Sequence, residues 1–143
     1  MQQLFFFFLW TLLMYGMHRV VHSSKLLGYF HIQHHKVINN KETKWHWNNV
    51  LLYNDDMKST IDLWITDVTP TLIFCYFTGQ WWIFFVYYFY AAFFQENIEH
   101  SFNVNIPLIS SGRWHLTHHK DSRYNYGFVF TFWDKLFKTE KPC

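Results

Sequence analysis

Nine of the ten histidines in this 143-residue chain fall in tight groups. They are His18-Arg-Val-Val-His22, His31-Ile-Gln-His34-His35, a lone His100 after Gln95–Glu99, and His115-Leu-Thr-His118-His119. On a helix, residues three and four apart share a face. His18 and His22 therefore point together, as do His31, His34 and His35, and as do His115, His118 and His119. Three helical faces, each carrying two or three imidazoles, can converge on one site. A single histidine at a membrane interface is an ordinary amphipathic residue. Two copies of His-x-x-His-His beside a His-x-x-x-His are not. Packed neutral imidazoles gain little from one another and protonated ones repel, whereas a jointly ligated cation removes both problems.

The ligand count narrows the chemistry. A zinc site takes about four ligands. Nine imidazoles exceed one ion and fit two, at four or five each. All-nitrogen ligation without Cys excludes iron–sulfur clusters and disfavours structural zinc. It suits a pair of redox-active ions, with iron first, although affinity alone does not separate iron from zinc, manganese or copper. A zinc hydrolase is further disfavoured by the lack of a His-Glu-x-x-His box. His46, in Lys44-Trp45-His46-Trp47, lies outside the pattern and reads as a loop or interface residue. Glu96, one turn before His100, is a candidate carboxylate ligand or an acceptor for one.

The elements that must carry these groups are set by an apolar, aromatic chain. Half of the residues are hydrophobic, 24% are aromatic and 15% are charged, which excludes disorder and exceeds what one small soluble core buries. The net charge is +2 with no block of like charge, so no nucleic-acid footprint exists. The two cysteines, Cys75 inside an apolar run and Cys143 far from it, build neither a disulfide framework nor a thiolate metal site. Leu4 to Met17 is apolar all round, and no basic residue precedes it, so it reads as a membrane helix over 1–17 rather than a signal peptide. Residues 18–60 are polar and carry the first two histidine groups. The second apolar region runs from Val68 to Phe94, interrupted by Thr78-Gly79-Gln80, and as a hairpin it would span residues 61–97. A single crossing there would split the 12 basic residues evenly across the membrane, while a hairpin keeps them, and every histidine group, on one side. A hairpin is expected. Asp62 and Asp67 shorten the apolar part of its first arm, which is then expected to dip into the bilayer rather than cross it. Residues 98–143, with Trp114, Tyr124, Tyr126, Phe128, Phe130, Phe132 and Trp133, read as a folded polar cap. The predicted fold is all-α: an integral membrane helical bundle with a cytosolic, histidine-rich helical cap holding a dinuclear metal site, in a single domain.

With HRVVH, HIQHH and HLTHH in that order and a membrane hairpin before the last box, the chain resembles the fatty acid hydroxylase/sterol desaturase superfamily. Tyr124-Asn125-Tyr126-Gly127 followed by Trp133-Asp134-Lys135-Leu136-Phe137-Lys138-Thr139 is similar to that family's NYG…WD(R/K)LFGT ending, with Lys138 where the Gly often stands. Glu99-His100-Ser101 matches a further family region in part, Phe102 replacing its Gly. The resemblance covers about His18 to Thr139. It implies an endoplasmic-reticulum-type membrane oxidoreductase with two iron ions at the cytosolic face. Such an enzyme uses O2 and electrons from a cytochrome b5-type or reductase partner to hydroxylate or desaturate a sterol or fatty acyl C–H bond. Carried over residue by residue, it implies the ligands His18, His22, His31, His34, His35, His115, His118 and His119, with His100 as a ninth. Asn125, Trp133 and Asp134 would build the cap. Family members are usually longer, with further helices before the first box. The chain is therefore read as a short member, and the alternative is a truncated, catalytically inactive metal-binding membrane protein. A homo-oligomer could complete a thin bundle.

Overall fold

The computed structural model describes the whole chain except residues 41–44, 55, 96, 102, 142 and 143, and it leaves the side chains of 37–40 and 101 undescribed. The candidate Glu96 and the Phe102 departure thus lie outside the described residues. The fold is helical. Helices α1 (Gln2–Ser23) and α2 (Lys25–Asn40) are followed by a 3-10 turn (Trp47–Leu51) and α3 (Met57–Leu63). A π turn (Trp64–Val68) leads into α4 (Thr69–Thr78), and α5 (Trp81–Phe89) runs on into a second π turn (Tyr90–Gln95). A 3-10 turn (Glu99–Ser101), α6 (Arg113–Lys120) and α7 (Phe132–Phe137) complete the chain. Among the described residues there is no strand, only two isolated bridges, Asn105 with Gly112 and Ile109 with Phe130.

α1 is the one described helix long and apolar enough to cross a membrane, at about 33 Å for 22 residues. Its outer face leaves Leu4, Phe5 and Phe8 exposed, while Trp10, Met14 and Tyr15 are buried. α3, the first π turn and α4 form one continuous helical arm. Gly79 ends it in the left-handed region at φ 70, where a side chain would be strained, and its N–H bonds to Cys75 O. The second arm returns antiparallel to the first, so that Gln95 Nε2 reaches Asp67 Oδ2 at 3.2 Å. Trp10, Met14, Val68, Phe74, Cys75, Ile83, Tyr87, Ala91 and Ala92 form the core between α1 and this hairpin. Ile73, Tyr76, Phe77, Phe85 and Phe89 face outward on the hairpin.

Polar groups fix the register of the three long elements. Trp10 Nε1 donates to Thr71 Oγ1 at 3.1 Å, tying α1 to α4. Trp133 Nε1 donates to Thr11 Oγ1 at 3.0 Å, and Tyr15 Oη meets Thr139 Oγ1 at 2.8 Å, tying α1 to the cap. Asp62 and Asp67 do not spoil an apolar face. Asp62 is buried against α2, and Asp67 turns inward against Gln95. The π turn that begins two residues after Asp62 rephases the arm and brings both acids to its inner side.

The cap is organised around one carboxylate. Buried Asp134 accepts hydrogen bonds from Tyr126 N at 2.8 Å, Gly127 N at 2.7 Å, Thr139 Oγ1 at 2.8 Å and Trp114 Nε1 at 3.3 Å. Burial pushes its pKa up, while those donors pull against the shift. Asn125 adopts φ 58, accepts from Lys141 N and donates to Trp114 O. A Cβ on Gly127 would lie 2.6 Å from Phe130 O and 2.8 Å from Asp134 Oδ2, so only glycine fits beside the carboxylate. Asn125, Trp133 and Asp134 therefore build the cap, the role the family ending implies for them.

Candidate metal centre

The C-terminal turns of α1 meet α2, α6 and the 3-10 turn Glu99–Ser101 at the nine patterned histidines. Their donor nitrogens form two groups. In the first, one nitrogen each from His18, His22, His31 and His118 lies within 4.8 Å of the others. The same holds in the second for His34, His100, His115 and His119. His35 stands between them, its ring 5.0 Å from that of His118 and 4.2 Å from that of His119. Its Nε2 is 3.2 Å from His31 Nε2. Helical spacing explains the sharing of faces, but the tertiary fold splits each His-x-x-His-His box between the groups. His31 and His118 join the first group, while His34, His115 and His119 join the second. His46 takes no part in either group; its backbone N–H donates to Asn97 Oδ1 at 2.8 Å.

The tautomers follow from the outer ring nitrogens. His18 Nδ1 meets Tyr126 O at 3.0 Å, and His118 Nδ1 meets Tyr124 O at 2.6 Å. His31 Nδ1 meets Asp62 Oδ2 at 2.8 Å. A carbonyl or carboxylate oxygen only accepts, so each of these Nδ1 atoms carries the proton, assigned here from its partner. In the neutral ring the opposite Nε2 then presents a bare lone pair. His22 Nε2 lies 3.2 Å from His18 Nε2 and 3.0 Å from His118 Nε2. One proton on His22 cannot satisfy the lone pairs of His18, His31 and His118 together. A shared cation can.

The second group has the spacing of a ligand set. The Nε2 atoms of His100, His115 and His119 form a triangle with edges of 3.1, 3.0 and 3.0 Å. Nitrogens about 2.1 Å from a metal are separated by about 3.4 Å at the corners of a regular tetrahedron and by about 3.0 Å along an octahedral face. Spacings of this order let one cation meet all three rings, without distinguishing one metal from another.

Electrostatics keep these rings neutral. Burial is the leading cause that holds His34, His115, His118 and His119 well below the ordinary histidine range, with neighbouring imidazoles adding to it. His35 is lowered to about 3 by burial and then by His31, and His100 to about 4 by burial. Neutral imidazole is the form that binds metal. A cavity of about 40 Å³ adjoins the rings, lined among others by His31, His35, Asp62, Thr66, Asp67 and Gln95. It has room for about three waters.

A family model for fatty acid hydroxylase matches residues 3–139. The chain belongs to the fatty acid hydroxylase family. No curated protein and no solved structure matches it. The family is one of lipid hydroxylase- and desaturase-type oxidoreductases that generally depend on iron, and family and α1 together point to membrane association. Three groups at the site escape the histidine pattern. Two are the backbone carbonyls of Tyr124 and Tyr126, which no side-chain motif can report, although the Asn125-Gly127 turn chemistry marks the loop that aims them. The third is Asp62. Its signal was an acid inside an otherwise apolar arm, which by default marks a functional position.

Proposed function

We infer that this chain is a membrane-bound, dinuclear iron oxygenase that hydroxylates or desaturates a lipid C–H bond, sterol or fatty acyl, with O2 and external electrons. The observation that carries this is the convergence of histidine ring nitrogens in two adjoining groups, in a chain of the fatty acid hydroxylase family. His18, His22, His31 and His118 hold one ion; His34, His100, His115 and His119 hold the other. His35 completes the set between them. Iron bound by these histidines would supply the O2 chemistry that an unactivated C–H bond requires, which acid–base side chains cannot provide.

The protein's own residues do the rest. Tyr124 and Tyr126 carbonyls and the Asp62 carboxylate fix ring orientation through Nδ1. The buried shell of Trp10, Tyr87 and the hairpin keeps the centre dry on its membrane side. Residues 1–17 and the 61–97 hairpin sit in the bilayer, while 18–60 and 98–143 lie on the cytosolic face of an endoplasmic-reticulum-type membrane. A cytochrome b5-type or reductase partner reaches the centre from that face.

The test is metal content and turnover of untagged, full-length protein in detergent, beside a His34→Ala/His118→Ala double variant that removes one ligand from each group. Two irons per chain, largely lost in the variant, and lipid oxidation that requires both O2 and reductant are expected. A well-folded protein that takes up no metal would refute the centre. Two metals without any O2-dependent product would favour the catalytically inactive alternative.

A further inference from the structure

Asp62 stands against the first group in a way that the histidine boxes do not anticipate. Its Oδ2 accepts the His31 Nδ1 proton at 2.8 Å, and both residues are buried, at 5% and 8% exposure. Its other oxygen, Oδ1, is buried with no hydrogen-bond partner. The described residues lining the adjoining cavity include no lysine or arginine. A buried carboxylate with one bare oxygen is costly unless positive charge lies close by. His31 offers its Nε2 to His18, His22 and His118, so an ion held there sits one imidazole away from the carboxylate. A carboxylate on the outer nitrogen also locks the tautomer and makes the ligating nitrogen a stronger donor. The other described outer contacts differ. Tyr126 O and Tyr124 O are neutral acceptors, His100 is hydrogen-bonded to the backbone of Gln95, and His119 Nδ1 is buried without a partner.

We propose that Asp62 is the positioning residue of the first metal site, orienting His31 and setting that site's affinity independently of the second. This rests on the dinuclear centre inferred above. Asp62 touches no second-group imidazole, so its removal acts on one ion and not on both. Its charge, and not only its hydrogen bond, strengthens the site, which separates Asp62→Asn from Asp62→Ala.

The experiment titrates metal-free, full-length protein in detergent with Co(II), reading ions bound per chain, affinity of each, and the Co(II) visible spectrum. Wild type is expected to bind two ions. Asp62→Asn keeps an acceptor oxygen and loses the charge; it should bind two, with one weakened about 10–100-fold and its spectrum shifted. Asp62→Ala should bind one ion at unchanged affinity. In a His115→Ala background, which damages the second group, adding Asp62→Ala should remove the remaining tight ion. Unchanged affinity of both ions in Asp62→Asn and Asp62→Ala overturns the assignment. So does an equal weakening of both ions, or a loss of helicity in the metal-free Asp62→Asn variant, since either marks a general structural role. A wild type that binds no Co(II) instead overturns the dinuclear centre itself, and the role of Asp62 with it.

Discussion

Replacing Asp134 by Ala tests how the cap governs the metal centre through the Tyr124–Tyr126 loop, 8 to 10 residues upstream in sequence. The substitution leaves the N–H groups of Tyr126 and Gly127, the Thr139 hydroxyl and the Trp114 indole N–H without their acceptor. Hydrogen bonds to an ionised group contribute about 1.5–3 kcal/mol each, which for four donors would sum to roughly 6–12 kcal/mol. The sum is an upper bound, because removing the carboxylate also removes its burial cost, the cause of its raised pKa. A net loss of about 3–5 kcal/mol remains, within the range for breaking a buried charged network. For a domain of this size that lowers the thermal midpoint by roughly 10 °C. The effect is not confined to stability. Tyr126 donates to Asp134 through its N–H and accepts from His18 through its carbonyl. A loosened loop therefore misaligns His18 and, through Tyr124, His118, both in the first group. Circular dichroism melting in detergent, with metal content measured on the same samples, reads both consequences. A midpoint within about 2 °C of wild type, or a large destabilisation with both ions retained, would show that the cap does not hold the centre as described.

Two glycines give a paired control. Gly127→Ala should destabilise strongly, since the new methyl meets Phe130 O and Asp134 Oδ2 inside contact distance, whereas Gly16→Ala has nothing within 4 Å and should leave the melting midpoint unchanged or raise it slightly. Acid should destabilise the metal-free protein from about pH 6.5 downward. The native rings of His34, His35, His100, His115, His118 and His119 stay neutral, while the unfolded chain protonates them at the ordinary histidine value, so the unfolded state binds more protons and stability falls with pH. The stability is fully present above pH 6.5, and the decline continues to about pH 4 for His100 and about pH 3 for His35. Melting midpoints from pH 8 to pH 4 measure it, and a flat profile through pH 6 contradicts neutral, buried imidazoles.

The sequence by itself determined the helical class, the family and the candidate ligands. Apolar runs without β-type alternation specify helices, and residues three and four apart must share a helical face whatever surrounds them. Local periodicity is therefore enough to align His18 with His22, or His115 with His118 and His119. The NYG…WD ending was legible as a cap through its aromatic content and the family resemblance, while the left-handed Asn125, the close-packed Gly127 and the N–H groups gathered on Asp134 came from the structure. What only the tertiary structure decided is the partition of ligands. His31 and His34 are three residues apart on α2, yet each joins a different group, because that depends on where α1 and α6 cross α2. The outer contacts were equally hidden. The Tyr124 and Tyr126 carbonyls are common to every residue type, and Asp62 lies 31 positions from His31. Read along the chain, Asp62 was a charge that shortened an apolar arm. Only the packing of α3 on α2, with the π turn that follows, gives that buried charge an imidazole to hold.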